Sequence, residues 1–182
     1  MEIVVGLLVG LATGVLSSLF TAWLLIHRAR PSIEFAEEVS VRNGSLRVKV
    51  RNAGRRSMWD VETRAVFRVK SVDPALPSNA LHVEVPVDDA YMPNWPPHRE
   101  TSTDRVFVLL PEDASRYHRS LLQSSNLPEL LGADASNSFR IITSVTNGLT
   151  GTRSTISSKP YTALNVREAS YVVGDLRLRP LE

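Results

Sequence analysis

His82 and Glu84 stand two positions apart. In an extended strand both side chains then leave one face, the placement required of a general base and the carboxylate that orients it. Leu81, Val83 and Val85 occupy the opposite parity, and that alternation already describes the solvated side of a half-buried strand. Asp88-Asp89 and Glu37-Glu38 are adjacent pairs; neighbours in an extended chain point to opposite faces, so neither makes a proton-sharing dyad. His98 falls in a proline-rich stretch and His118 in an expected helix, without the one- or three-residue spacing of a zinc site. The chain has no cysteine, which removes disulfide frameworks, thiolate metal sites, iron–sulfur clusters and cysteine nucleophiles together. No Gly-x-Ser-x-Gly elbow, Walker loop or dinucleotide fingerprint occurs. The residues thus offer no catalytic set, no metal site and no cofactor motif, and the expectation is a protein that is not an enzyme.

Binding chemistry is better represented. If the strands expected over 45–51 and 58–70 pair as a hairpin, Arg47, Lys49, Arg51, Arg64, Arg68 and Lys70 project from one surface. Such a face suits anionic lipid, at about 1 kcal/mol per basic residue near a membrane, or an acidic protein partner. Glu34, Glu38 and Glu62 share the outward parity and would neutralise part of it. Nucleic acid is disfavoured, because the formal net charge is only +2 and few aromatics accompany the arginines. A second patch is Tyr91-Met92-Pro93-Asn94-Trp95-Pro96-Pro97. Prolines there stiffen a recognition loop presenting Tyr91 and Trp95, or else Trp95 folds back to cap an open end of the fold.

These residues need a scaffold, and 182 residues with 43% apolar and 22% charged side chains supply one globular domain with an appendage. The appendage is N-terminal. Ile3 to Ile26 holds no charge over 24 residues, a helix of roughly 36 Å, enough to span a hydrocarbon core of about 30 Å. A cleaved signal peptide would want a basic start and a shorter apolar run, so residues 3–26 are expected to be an uncleaved transmembrane helix. Gly6, Gly10, Gly14, Ser18 and Ala22 recur every fourth residue along it, a small-residue stripe suited to helix pairing and hence to a homo-oligomer. Residues 27–31 form a basic linker with Arg28 and Arg30, whereas the other flank carries Glu2 alone. The positive-inside rule then puts the N-terminus outside and residues 27–182 in the cytoplasm of the cell membrane. The predominance of arginine among the basic residues suggests a bacterial source.

From residue 32 to residue 182 the period is mostly two. Strands are expected over Ser32–Val41, Ser45–Arg51, Met58–Lys70, Leu81–Val87, Arg105–Leu110, Phe139–Thr146, Thr152–Ser158 and Ala169–Leu178, with a tight Asn43-Gly44 turn after the first. Asp88–Thr103 reads as an irregular connection, and about 112–132 as a short helical insertion. The pattern is an antiparallel β-sandwich.

Leu46 to Gly54, with its Asn52-Ala53-Gly54 ending followed by Val61, resembles the strand–N-x-G–strand pattern of CARDB-type immunoglobulin-like modules. Thr150-Gly151-Thr152 with Tyr161, Val166 and Tyr171 resembles the last strands of the cytoplasmic domain of inward-rectifier potassium channels. Both resemblances imply an immunoglobulin-like sandwich and nothing about activity; a single span without a filter segment excludes a channel. The functional expectation is a single-pass, non-catalytic binding or scaffold protein whose cytoplasmic domain contacts a protein partner or anionic lipid. The alternatives are a surface-facing module that binds carbohydrate or protein through residues 91–97, with Asn43-Gly44-Ser45 as a glycosylation acceptor, and an accessory subunit of a membrane complex.

Overall fold

The computed structural model describes residues 2–28, 30–70, 80–98, 104–114 and 126–180. Helix α1 (Glu2–Arg28) runs unbroken for 27 residues. Its described apolar side chains are exposed, Ile3 being 85% and Leu7 69% exposed, and Phe20 stacks on Trp23 of the same helix. A helix this long and apolar all round is long and apolar enough to cross a membrane.

The remaining described chain is mostly β, in two facing sheets. In the first, β1 (Ile33–Phe35) and β2 (Val39–Arg42) lie on the same side of β3 (Ser45–Asn52), both antiparallel to it. Asn43 and Gly44 close the turn with φ of 53° and 74°, the positive values that a type I′ hairpin demands of both positions. The register passes from Phe35↔Val50 to Ser40↔Arg47. Two extra residues on the first strand therefore bulge out at Glu37 and Glu38, and the single strand expected over Ser32–Val41 is two pieces. On its other side β3 pairs with β7 (Arg105–Val108), and β10 (Val166–Arg167) adds to β2 in parallel, an exception to the antiparallel pattern.

The second sheet is built on β4 (Met58–Lys70). It pairs along its length with β8 (Ser138–Asn147), which continues to β9 (Arg153–Ser157). Along its opposite edge run β5 (Ala80–Val85) and β6 (Tyr91–Trp95). The expected irregular connection is thus partly a strand: Tyr91–Trp95 takes up pairing with the first half of β4. Between β5 and β6 the chain crosses to the first sheet, where Val87 bridges Leu109 and the Asp88 carboxylate accepts from Val108 N. Pro86, which lacks a donor, sits where β5 leaves the ladder.

Between the sheets lie Leu46, Val48, Val50, Val61, Phe67, Val83, Val85, Phe107, Ile141 and Val145, all 0–1% exposed. Phe67 stacks on Phe139 at 4.9 Å between centroids, and Phe139 meets Tyr161 at 5.1 Å. Each large apolar side chain so buried contributes about 1.5–3 kcal/mol. Two polar residues stitch the ends. Asn52, fully buried, donates to Arg56 O and Trp95 O at 3.0 Å and accepts from Gly54 N, which is what the Asn-x-Gly sequence does here. Asn137 donates to Leu130 O and accepts from Lys70 N, holding a short helix, α2 (Leu127–Gly132), against β4. Leu127, Leu130 and Leu131 point inward from that helix. The helical insertion expected over 112–132 is described only as a 3-10 turn at Pro111–Asp113 and as α2; its middle, with His118, lies outside the described residues.

The expected final strand Ala169–Leu178 is instead a hairpin, β11 (Ala169–Tyr171) and β12 (Leu178–Pro180). Gly174 at φ 73° lies in the turn and is the signal that a reading of alternation passed over.

Candidate functional site

The six basic residues expected on one surface fall on two. β3 and β4 belong to different sheets, so Arg47, Lys49 and Arg51 leave the outer face of the first sheet and Arg64, Arg68 and Lys70 that of the second. The hairpin premise fails because Gly54–Ser57 carries the chain across the sandwich rather than back beside β3.

The first three residues are covered. The β11–β12 hairpin lies over them: Lys49 Nζ donates to Val172 O and Asp175 O at 2.7 Å, and Arg51 donates to Gly174 O at 2.8 Å. Tyr171 Oη donates to Glu38 O and Arg47 O, and Ser40 Oγ donates to Ala169 O. Asp104 completes the cluster, 3.1 Å from Lys49 Nζ and 3.0 Å from Arg51 Nε, with a side chain only 4% exposed. Burial alone would raise the Asp104 carboxyl, but hydrogen bonds from Arg51 and Lys49 outweigh it and hold it below the ordinary carboxylate range. Arg51 is pushed up chiefly by its hydrogen bond to Asp104. Burial drives the Tyr171 phenol up to about 12. His98 Nδ1 lies 3.0 Å from Asp104 Oδ1 but is not aligned as a hydrogen bond. Charges so enclosed hold the hairpin to the sheet; they are not a surface that a partner reaches.

The other three keep their exposure and gain company that sequence reasoning missed. Arg140 on β8 and Arg153 on β9 leave the same face of the second sheet as Arg64, Arg68 and Lys70. Arg64 pairs with Glu84 at 3.5 Å, Lys70 with Asp134 at 2.8 Å, and Arg153 with Glu62. Hydrogen bonds from Lys70 and from Ser136 hold the Asp134 carboxyl far below its usual range. Arg68 and Arg140 are exposed and make no ion pair among the described residues. The register places Arg68 opposite Ser138 and His82, and Arg140 opposite Val66. The two arginines are therefore diagonal neighbours on the sheet. They line an open groove of about 950 Å³ together with His82, Ser138, Val66 and Ile142. Two arginines with no ion pair among the described residues, beside hydroxyls and an apolar strip, have the chemistry to take a carboxylate or phosphate with an apolar neighbour. The parity of the expected Phe139–Thr146 strand already put Arg140 outward; the pairing with β4, a contact across more than sixty residues of sequence, was the missing step.

The remaining candidates separate similarly. Trp95 is fully buried and caps the core rather than presenting a recognition loop, the second of the two roles its sequence allowed. Tyr91 is 56% exposed, and its hydroxyl donates to Asp60, which pushes the phenol above its usual range. His82 and Glu84 do share the outer face of β5, but Glu84 is engaged by Arg64. Glu38 pairs with Arg167. Gly6, Gly10 and Gly14 have open space where a Cβ would stand, and Ser18 and Ala22 are exposed on the same helix. Among the described residues no three His, Asp or Glu groups converge on a metal position.

Fold and surface together define a class: a β-sandwich preceded by one apolar helix, with a basic groove on the outer face of one sheet. No protein-family model matches the sequence, and no curated protein matches it.

Proposed function

We propose that this chain is a single-pass membrane-anchored binding protein, not an enzyme, whose cytoplasmic sandwich holds an acidic protein partner in the Arg68–Arg140 groove. One observation carries the reading. On a sheet face where Arg64, Lys70 and Arg153 are each matched by a carboxylate, Arg68 and Arg140 have none among the described residues and lie beside an apolar strip. A guanidinium pair takes carboxylates bidentately, and the strip accommodates the apolar part of a peptide. The cytoplasmic placement is supported by Arg28 and Arg30 on one flank of α1 against Glu2 on the other. A non-catalytic role is supported by the engagement of Glu84 with Arg64, the carboxylate that the sequence placed beside His82.

The test is binding of a glutamate-rich peptide to the full-length chain in lipid nanodiscs, measured against ionic strength. Binding that weakens with salt and is lost in Arg68→Glu/Arg140→Glu, at unchanged melting temperature, is the expected result. Equal binding by that variant rejects the groove.

A further inference from the structure

The end of the sandwich nearest α1 has a different chemistry from the groove. Between Arg28, where α1 ends, and Ser32 the chain has four Cα–Cα steps, at most about 14 Å. Ser32 O accepts from Ala53 N at 2.9 Å and from Gly54 N at 3.1 Å, and buried Asn52 fixes the same loop through Arg56 O. The loop that follows β3 is therefore held within that short tether of the helix. Arg30, Arg55 and Arg56 gather there around one cleft with Asn147. All three arginines are exposed and make no ion pair among the described residues. Beside them stand Trp59, 46% exposed, and Leu149, 46% exposed. The Trp59 indole lies so close over Gly148 that a Cβ there would approach it to 2.6 Å, which turns an aromatic edge and an aliphatic tip to the same end.

We infer that this end of the sandwich docks on the bilayer that α1 spans, with Arg30, Arg55 and Arg56 on anionic headgroups and Trp59 and Leu149 in the interfacial layer. The inference rests on α1 being a membrane span. Three properties carry it: a tether that keeps this end within about 14 Å of the helix end, positive charge with no ion pair among the described residues, and the amphipathic ring type that collects at membrane–water interfaces. The groove cannot share this contact when the strands rise from the surface. Arg68 lies nine residues along β4 from Trp59, about 30 Å at strand rise. The membrane contact would thereby hold the groove toward the solvent, where a soluble partner meets it.

The chain lacks cysteine, so single-site labelling tests this directly. Full-length Thr150→Cys, Ser136→Cys and Leu16→Cys chains, each carrying an environment-sensitive fluorophore, are reconstituted in vesicles of phosphatidylcholine with phosphatidylglycerol and challenged with spin-labelled lipid. The expected result is quenching at position 16 and at position 150, and none at position 136, which lies at the far end of β8. Arg55→Glu/Arg56→Glu in the Thr150→Cys chain should abolish quenching at 150 and leave the melting temperature unchanged. Quenching at 16 with position 150 as unquenched as 136 overturns the docking, as does quenching at 150 that survives the charge reversal. No quenching at 16 removes the spanning reading, and the docking with it.

Discussion

Replacing Asp104 by asparagine keeps the side-chain shape and strips the counter-charge from Lys49 and Arg51. The Lys49 side chain is 6% exposed and that of Asp104 4%, so the ammonium cannot turn to water. Breaking a buried pair on one side costs about 3–5 kcal/mol; Asp104→Asn should lower the denaturant midpoint accordingly, whereas Glu84→Gln, whose partner is exposed, should change stability by less than about 1 kcal/mol. The same carboxyl gives a pH dependence. Its folded pKa is depressed, so its contribution is complete above the unfolded value of about 4 and fades as pH falls through the lower folded value. Thermal melts of the wild type should therefore lose stability on acidification below about pH 4 more steeply than melts of Asp104→Asn. Trp95→Ala should cost about 3–5 kcal/mol through the cavity it leaves, whereas Tyr91→Ala, at an exposed position, should cost little. None of these contrasts is contained in residue type. Lys49 has the outward parity of a solvated lysine, and only the return of residues 169–180 over β3 buries it.

At the scale of elements, local chemistry was legible and partnership was not. Asn43-Gly44 announces its own turn, because both backbone positions need positive φ, and the alternation of Leu46, Val48 and Val50 against Arg47, Lys49 and Arg51 places the inward set correctly. Alternation does not say which strands become neighbours. β3 and β4 follow one another in sequence yet separate into two sheets, while β4 finds β8, a contact whose loop-closure cost leaves no local mark. That pairing brought Arg140 beside Arg68, while the return of residues 169–180 over β3 covered the other half of the expected basic face. The hairpin itself is testable. Tyr171→Phe removes the donor shared by Glu38 O and Arg47 O and should cost about 1–2 kcal/mol, read as a lower melting temperature with faster proteolysis after residue 171. For α1, Gly10→Ile with Gly14→Ile should weaken self-association in a membrane two-hybrid assay, because open space stands at both positions and close backbone approach depends on it.

The whole molecule has two chemically different ends, and under the proposed reading, with α1 spanning a membrane, the span fixes which one meets lipid. The arginines at the tethered end and those of the groove are separated by most of the length of β4. One chain can then engage a surface and a soluble partner together only if the sandwich stands on the side where anionic lipid is found. That side is set by the flanks of α1: Arg28 and Arg30 against Glu2, which favours a cytoplasmic sandwich. A cysteine introduced at Ser136, exposed and far from the helix along β8, reports it without background. In intact cells a membrane-impermeant maleimide should leave Ser136→Cys unlabelled until lysis, while a cysteine at Glu2 should label at once. Labelling of Ser136→Cys in intact cells would reverse the orientation. It would place Arg30, Arg55 and Arg56 against the outer leaflet, where the inner leaflet's anionic surface potential no longer draws them. The groove would then face extracellular carboxylates instead of cytosolic ones. The sandwich is the same in both cases, so under the proposed function orientation alone decides which acidic partners the Arg68–Arg140 groove would encounter.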